Sequence, residues 1–515
     1  MLFLNLTAKI QKNISNFATK NEKSIKMMNK KRMTTQVVVG MLATTMLLCG
    51  TTNVQAQTHA DKAVNVYFTA TEMPDMRQFM PAPPDTFGIQ WTHDIMRYYW
   101  GKDQRIKDPE RAKIAREDAE SSIDWMMKEF SVPFGLQMSK EGTPEMYRLL
   151  KDATSTARKI CTNVKKFYAR KRPFLRFHES TLTPEDEEFM SNGSSYSYPS
   201  GHALKGWCLA LLLSEINPER ADTLFARAYM YGDSRVIVGA HWQTDVDAGR
   251  LAATVAYGKM HTHPLFIEQL EKAKKEFCRL TGKTMPGIQK GDIEKYYTTE
   301  EMPNLIKCLP APPDTLNEYF TYDLMRYFWG KDQRVTNPER AKIARRDGIW
   351  NPVDSLFSSY NEVLGITISK ENTPAIWKLL TRSLMTTDQM RVAPKAFYHR
   401  IRPYVRFHEH ILTYDKEENE VELGKGGSYP SGHTSRGWTS ALLLSEVCPE
   451  HANQILKRGW DYGDSRVIVG AHWQTDVDAG RMGACIGYGV LQSNPTFRED
   501  MKAAQQEFLR KNNKK

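Results

Sequence analysis

A chain of 515 residues and 59.2 kDa exceeds what one hydrophobic core usually fills, which points to two domains of ordinary size. A hydrophobic fraction of 41% beside 25% charged residues, with eleven Trp, is a globular composition and excludes a chain disordered throughout. The net charge of +11 invites a polyanion partner, but eight Lys and Arg against the single acid Glu22 place +7 of it in residues 1–56. No dense basic run follows, so the case for nucleic-acid binding falls.

Residues 1–56 read as an export signal. Lys30, Lys31 and Arg32 precede an apolar stretch from Val37 to Cys49, and Val54-Gln55-Ala56 supplies small residues at the −3 and −1 positions of a cut. The stretch is shorter than the roughly 20 residues that span a bilayer, although an uncleaved anchor is the alternative. Leu48 stands where a lipoprotein signal wants a small residue before Cys49. The basic segment is long for a signal, which makes Met27, Met28 and Met33 alternative starts. The mature chain is expected to begin near Gln57, without a stable membrane span, and to be periplasmic or secreted.

An internal repeat with an offset of 229 to 231 residues dominates the rest. Met80-Pro81-Ala82-Pro83-Pro84-Asp85-Thr86 recurs as Leu309-Pro310-Ala311-Pro312-Pro313-Asp314-Thr315, the stretch 95–105 recurs as 324–334, and residues 231–250 are identical to 462–481. A period this long is a duplicated domain rather than a solenoid. The boundaries fall at 57–284 for the first domain, 285–292 for a polar link and 293–515 for the second. The six later cysteines, Cys161, Cys208, Cys278, Cys308, Cys448 and Cys485, each face another residue type across the repeat, such as Cys208 opposite Thr439. Export permits disulfides, but a framework shared by both halves is excluded and buried thiols are favoured.

Apolar spacing within each copy is helical: Trp207, Leu209, Ala210, Leu212, Leu213 and Ile216 in the first, Trp438, Ala441, Leu442, Leu444 and Val447 in the second. Alternating β-branched segments bounded by Asn-Gly or Asp-Gly turns are scarce, so the expected fold class is all-α, with the Pro-rich segments as extended lead-ins.

Three clusters recur in one order. The first half holds Lys165 and Arg172-Pro173, then Ser197-Tyr198-Pro199-Ser200-Gly201-His202, then Ser234-Arg235 with His241 and Asp245. The second holds Lys395 and Arg402-Pro403, then Ser428-Tyr429-Pro430-Ser431-Gly432-His433, then Ser465-Arg466 with His472 and Asp476. Phosphoryl transfer needs donors and cations around three equatorial oxygens, an in-line nucleophile and a proton for the departing alkoxide. Lys165, Arg172 and Arg235 are the cations. Ser200 precedes an apolar helical run, where a helix N-terminus favours an anion, and Gly201 lets backbone approach it. His241 and Asp245, four apart in a helical stretch, share a face, so the carboxylate takes one ring proton and leaves the other nitrogen as nucleophile. His202 is then free to act as general acid, and two histidines in opposite protonation states imply a bell-shaped profile on the acid side. Alone, the His-Asp pair also suits a structural contact or a metal site, and the Lys-Arg pair a solvated face. Three clusters in order, twice, favour a phosphate site.

These clusters resemble the signature of the PAP2 phosphatase superfamily, and within it the class A bacterial nonspecific acid phosphatases. The likeness extends to the Pro-Ala-Pro-Pro lead-ins and the Gly-Asp-Ser-Arg context of both halves. It implies an all-α fold, no metal and no cofactor, with His241 and His472 as nucleophiles, Asp245 and Asp476 as their orienters, and His202 and His433 as acids. It implies phosphate contacts from Lys165, Arg172, Ser200, Gly201 and Arg235, and from Lys395, Arg402, Ser431, Gly432 and Arg466. The departure is the duplication, because class A members are single-domain chains that assemble as oligomers; the two halves are expected to pack as an intramolecular pseudo-dimer. Small-molecule phosphate esters are the expected partners. The leaving-group side is built by loops, so nucleotides, sugar phosphates, phosphotyrosine mimics and pyrophosphate are all admitted. Two rivals share the signature: a vanadium haloperoxidase-like oxidoreductase and a PAP2-type lipid phosphatase. His178 and His408, in the shared Arg-Phe-His-Glu, read as structural or pocket-wall residues, and Trp242 and Trp473 as core.

Overall fold

The apolar run that follows each Pro-Ser-Gly-His motif forms a helix, Gly201–Ile216 in the first half and Gly432–Val447 in the second, in the computed structural model of the chain. The structure describes residues 66–512 apart from 85, 87, 194, 290, 292, 318, 350–353 and 414–423. The expected export signal and its cut after Ala56 lie outside the described residues.

These two helices are apolar on every side, which is the pattern of a helix enclosed by others. Trp207 and Trp438 are fully buried on them. Each is flanked by the two helices that follow it, Ala221–Val238 and Gln243–Met260 in the first half, Ala452–Ile468 and Gln474–Leu491 in the second. The approach is close because Gly249 sits opposite the carbonyl of Ser200. A Cβ at its counterpart Gly480 would lie 2.7 Å from the Ser431 carbonyl oxygen, well inside contact distance. Gly101 and Gly330 allow a similarly close approach farther out, against the backbone of Val236 and Val467. Among the described residues every regular element is a helix, so the chain is all-α, two homologous helical domains in tandem. No helix among them is long and apolar enough to cross a membrane.

Residues 64–515 form one compact unit. The short helix Met76–Phe79, from the first lead-in, lies on Ala452–Ile468 of the second half, and Leu305–Cys308, from the second lead-in, lies on Ala221–Val238 of the first. Hydrogen bonds seal both: the Asp75 N–H donates to Asn453 Oδ1 at 2.9 Å, and the Asn304 N–H to Asp222 Oδ1 at 2.8 Å. The six cysteines are free thiols, five of them buried.

Candidate active site

His241 lies between two helices, and its neighbours explain why. The helix Ala221–Val238 ends at Gly239, whose φ of 81° is the left-handed conformation that glycine adopts without a Cβ clash. The N–H groups of Ala240 and His241 both return to the Arg235 carbonyl, at 3.1 and 3.2 Å. Trp242 then caps the next helix, Gln243–Met260. The expectation that His241 and Asp245 share one helix face is therefore corrected: only Asp245 is helical, in the first turn, and it reaches back across the junction. One carboxylate oxygen, Oδ2, accepts from the Trp242 N–H at 2.9 Å and meets His241 Nδ1 at 3.3 Å. The four-residue spacing works because a helix start, rather than a helix face, brings the two groups together.

The other ring nitrogen meets a guanidinium. Arg172 Nη1 lies 3.0 Å from His241 Nε2 and 2.9 Å from the Ala240 carbonyl oxygen. Arginine has donors only, so Nε2 must be the acceptor and Nδ1 must carry the proton that faces Asp245. This tautomer puts the lone pair on Nε2. Arg170, which none of the three sequence clusters includes, fixes the carboxylate in turn: Nη1 donates to Asp245 Oδ1 at 2.5 Å, and Nη2 to Asp94 Oδ2 at 2.6 Å. Asp94 also accepts from the N–H of Thr244 at 2.9 Å. Burial alone would raise the Asp245 carboxyl, but the charges of Arg170 and His241 hold it well below the usual carboxylate range. The signal for this network is present in both copies, as the Arg-x-Arg-Pro of Arg170 and Arg400 and the aspartates at 94 and 323 in the shared helix.

His202 sits in the first turn of Gly201–Ile216, and Ser200 is the N-cap, its hydroxyl accepting from the Ala203 N–H. The Ser200 N–H donates to the Asp245 carbonyl oxygen at 2.8 Å, which ties this loop to the His241 junction. His202 Nε2 lies 2.9 Å from the Ala119 carbonyl oxygen and donates to it. Burial first, then the nearby Arg235, push the imidazole well below its ordinary value. Arg235 itself is 2% exposed, and its Nε and Nη1 have no acceptor within the protein. Buried donors without acceptors are rare and costly, and here they mark a place for an anion. A cavity of about 740 Å³ is lined by Arg172, His202, Arg235 and His241 together. Lys165 is not among its lining residues; its Nζ donates to the Tyr196 carbonyl at 2.7 Å, and burial followed by the charge of Arg172 pushes it down to about 8. Lys165 thus stands behind the loop that leads to Ser200.

The second half repeats the arrangement. Arg402 Nη1 lies 2.9 Å from His472 Nε2, His472 Nδ1 lies 3.3 Å from Asp476 Oδ2, and Arg400 bridges Asp476 and Asp323 at 2.5 Å each. Lys395 donates to the Gly427 carbonyl, Ser431 caps Gly432–Val447, and Arg466 and His433 are buried nearby. One contact differs: the Ser428 hydroxyl donates to Asp476 Oδ2, whereas Ser197 donates to the Lys171 carbonyl at 3.4 Å. His178 and His408 cap short helices with φ of 54° and 51°, a backbone role. Trp242 and Trp473 are core, 1% exposed, with indole N–H groups on the carbonyls of Lys171 and Ile401. Among the described residues, the group able to offer three metal ligands at once is Cys448, Glu450 and His451, and it shares no residue with either site.

The family profile of the PAP2 superfamily matches residues 153–263 and 376–499, and each stretch contains one full set of the candidate residues. A non-specific acid phosphatase of Providencia stuartii is 37% identical over 215 residues, 42% of this chain and 85% of the relative. That of Salmonella typhimurium is 38% identical over 216 residues, 42% and 85% of the two chains. An acid phosphatase of Zymomonas mobilis is 38% identical over 154 residues, 30% of this chain and 57% of the relative.

Proposed function

The chain is a phosphatase that belongs to the PAP2 superfamily, and from that premise we propose that it is an exported acid phosphatase that hydrolyses phosphomonoesters through a phosphohistidine, with two active sites, one each in residues 57–284 and 293–515. The observation that carries this reading is the Nε2 lone pair of His241, held by Asp245 on one side and facing a cavity with the unpartnered Arg235 donors on the other.

Phosphate oxygens take up the donors of Arg235 and draw Arg172 off His241 Nε2, since a charge-assisted bond to phosphate outweighs one to neutral imidazole. Nε2 then attacks phosphorus in line while the P–O bond to the leaving group breaks, and His202 delivers a proton to the departing oxygen. In the second step His202 takes a proton from water, the hydroxide attacks phosphorus, the N–P bond breaks, and inorganic phosphate leaves with His241 restored. Asp245 stabilises the positive charge that builds on the ring, and its own pairing with Arg170 keeps it ionised throughout. His472, Asp476, Arg402, Arg466 and His433 fill the same roles in the second half. The basic and apolar segments of residues 1–56 support export, and the exchanged lead-in helices support a pseudo-dimer of the two halves.

Substituting one nucleophile at a time tests the two-site reading. His241→Ala should leave roughly half of the turnover and His472→Ala the other half, while the double variant should be inactive and form no alkali-stable phosphohistidine. A single substitution that removes all turnover from a folded protein would sink it.

A further inference from the structure

The phosphate machinery of the two sites is the same residue for residue, yet the wall beside the acid is not. In the reaction proposed above the leaving group departs on the side of His202, and His202 is bonded to Ala119. The stretch around Ala119 is fastened there by two further contacts. Lys205 donates to the Ser121 carbonyl at 2.7 Å, and the Tyr231 hydroxyl to the Glu120 carbonyl at 3.1 Å. Lys113, Arg116, Glu117 and Glu120, from the helix Pro109–Glu117 and the turn after it, line the cavity on this side. The leaving group of the first site therefore meets two cations and two carboxylates.

The second half docks the corresponding helix, Pro338–Asp347, in the same way. Asp347 takes Arg458 and Ser465, as Asp118 takes Arg227 and Ser234, and Arg340 donates to the Asp461 carbonyl as Arg111 does to that of Met230. Counted from these anchors, Lys113 and Arg116 correspond to Lys342 and Arg345, but Glu117 corresponds to Arg346. After Asp347 come Gly348, Ile349 and Trp350, none of them charged, where the first half has Glu120. Glu117 and Arg346 are both exposed, and Arg346 lies 3.7 Å from Asp347, whose carboxylate is already bound by Arg458. The second wall thus presents three cations and neither carboxylate.

We propose that the two sites divide phosphomonoesters by the charge of the leaving group: the first favours neutral and cationic leaving groups, the second those that carry a further carboxylate or phosphate. This division rests on the two-site reading above. The physical reason is that both sites already neutralise the transferring phosphate identically, so the remaining field acts on the leaving group, where a charge reversal at one position changes a repulsion into an attraction.

The test uses full-length protein with one nucleophile removed: His472→Ala reports the first site and His241→Ala the second. The probes are phosphocholine, glycerol 2-phosphate and phosphoglycolate, with cationic, neutral and anionic leaving groups. At low ionic strength the kcat/KM ratio of phosphoglycolate to phosphocholine should be roughly tenfold higher for the second site, and the gap should shrink in about 0.5 M salt. Adding Glu117→Arg to His472→Ala should raise the ratio, and adding Arg346→Glu to His241→Ala should lower it; both positions are exposed, so the fold tolerates the change. Equal ratios at the two sites, or ratios indifferent to these charge swaps, would overturn the proposal. A folded single variant without any turnover would instead overturn the two-site reading, and the division with it.

Discussion

Three atoms of His241 are held at once: its backbone N–H by the Arg235 carbonyl, Nδ1 by Asp245 and Nε2 by Arg172. Burial and then Arg172 push its imidazole well below the ordinary value, so it remains neutral and nucleophilic into acid solution. His202 is pushed the same way by burial and Arg235, but its proposed task requires the proton. A lowered pKa means that the proton is lost on raising the pH through a value under the ordinary 6.5. The alkaline limb of kcat/KM, which reports the free enzyme, should therefore fall below 6.5. Bound phosphate brings negative charge beside His202 and raises its pKa, so the same limb in kcat should move upward. Because the two imidazoles sense one another, the measured values belong to the pair. Profiles of kcat and kcat/KM on the His472→Ala variant check this. A kcat/KM that is still rising at neutral pH would contradict the assignment of His202 as acid.

The helix pair Gly201–Ile216 and Gln243–Met260 delivers these residues to one place, and Gly249 sets how near the pair comes. Any side chain there strikes the Ser200 carbonyl and Ala203. Gly249→Ala should cost about 1–3 kcal/mol of stability by overpacking, and it should weaken phosphate binding at the first site, because Ser200 and Asp245 are joined by a backbone hydrogen bond across the same contact. Thermal unfolding and inhibition by inorganic phosphate in the His472→Ala background measure the two effects; unchanged phosphate binding would show that the glycine serves packing alone. Legibility follows the same division between local and long-range. The Ser-Tyr-Pro-Ser-Gly-His and Ser-Arg clusters are readable because each is a contiguous helix boundary, with cap and backbone donors set by adjacent residues. The spacing of His241 and Asp245 suggests a helix face, although Gly239 two residues earlier is a C-terminal stop signal that places the histidine outside the helix. Arg170 stays hidden in the sequence because its role depends on Asp94, far upstream, and no spacing rule joins residues that meet only in the tertiary fold.

The lead-in exchange makes each half depend on the other. Met76 and Phe79 are buried on a short helix against the second half, and Leu305 and Cys308 on its counterpart against the first. Between them the central helices meet directly, with the rings of Tyr257 and Tyr488 6.1 Å apart at 89°. Just behind, two buried carboxylates are each fully engaged. Glu215 accepts from the Tyr257 hydroxyl and pairs with His261 and Lys274, while Glu446 accepts from the Tyr488 hydroxyl and from Gln492 and pairs with Arg498. Breaking the halves apart would expose these networks and the apolar faces of both lead-in helices, which burial otherwise stabilises at about 25 cal/mol per Å². The covalent link adds little to such an interface: residues 283–289 form no regular element and are exposed. A protease site placed at 284–287 should therefore be cut without separating the halves. The nicked protein is expected to elute as one species in size exclusion, with both single-site activities intact, and to come apart only in denaturant. Elution as two independent halves that each remain active would show that the link, rather than the exchanged helices, holds the molecule together.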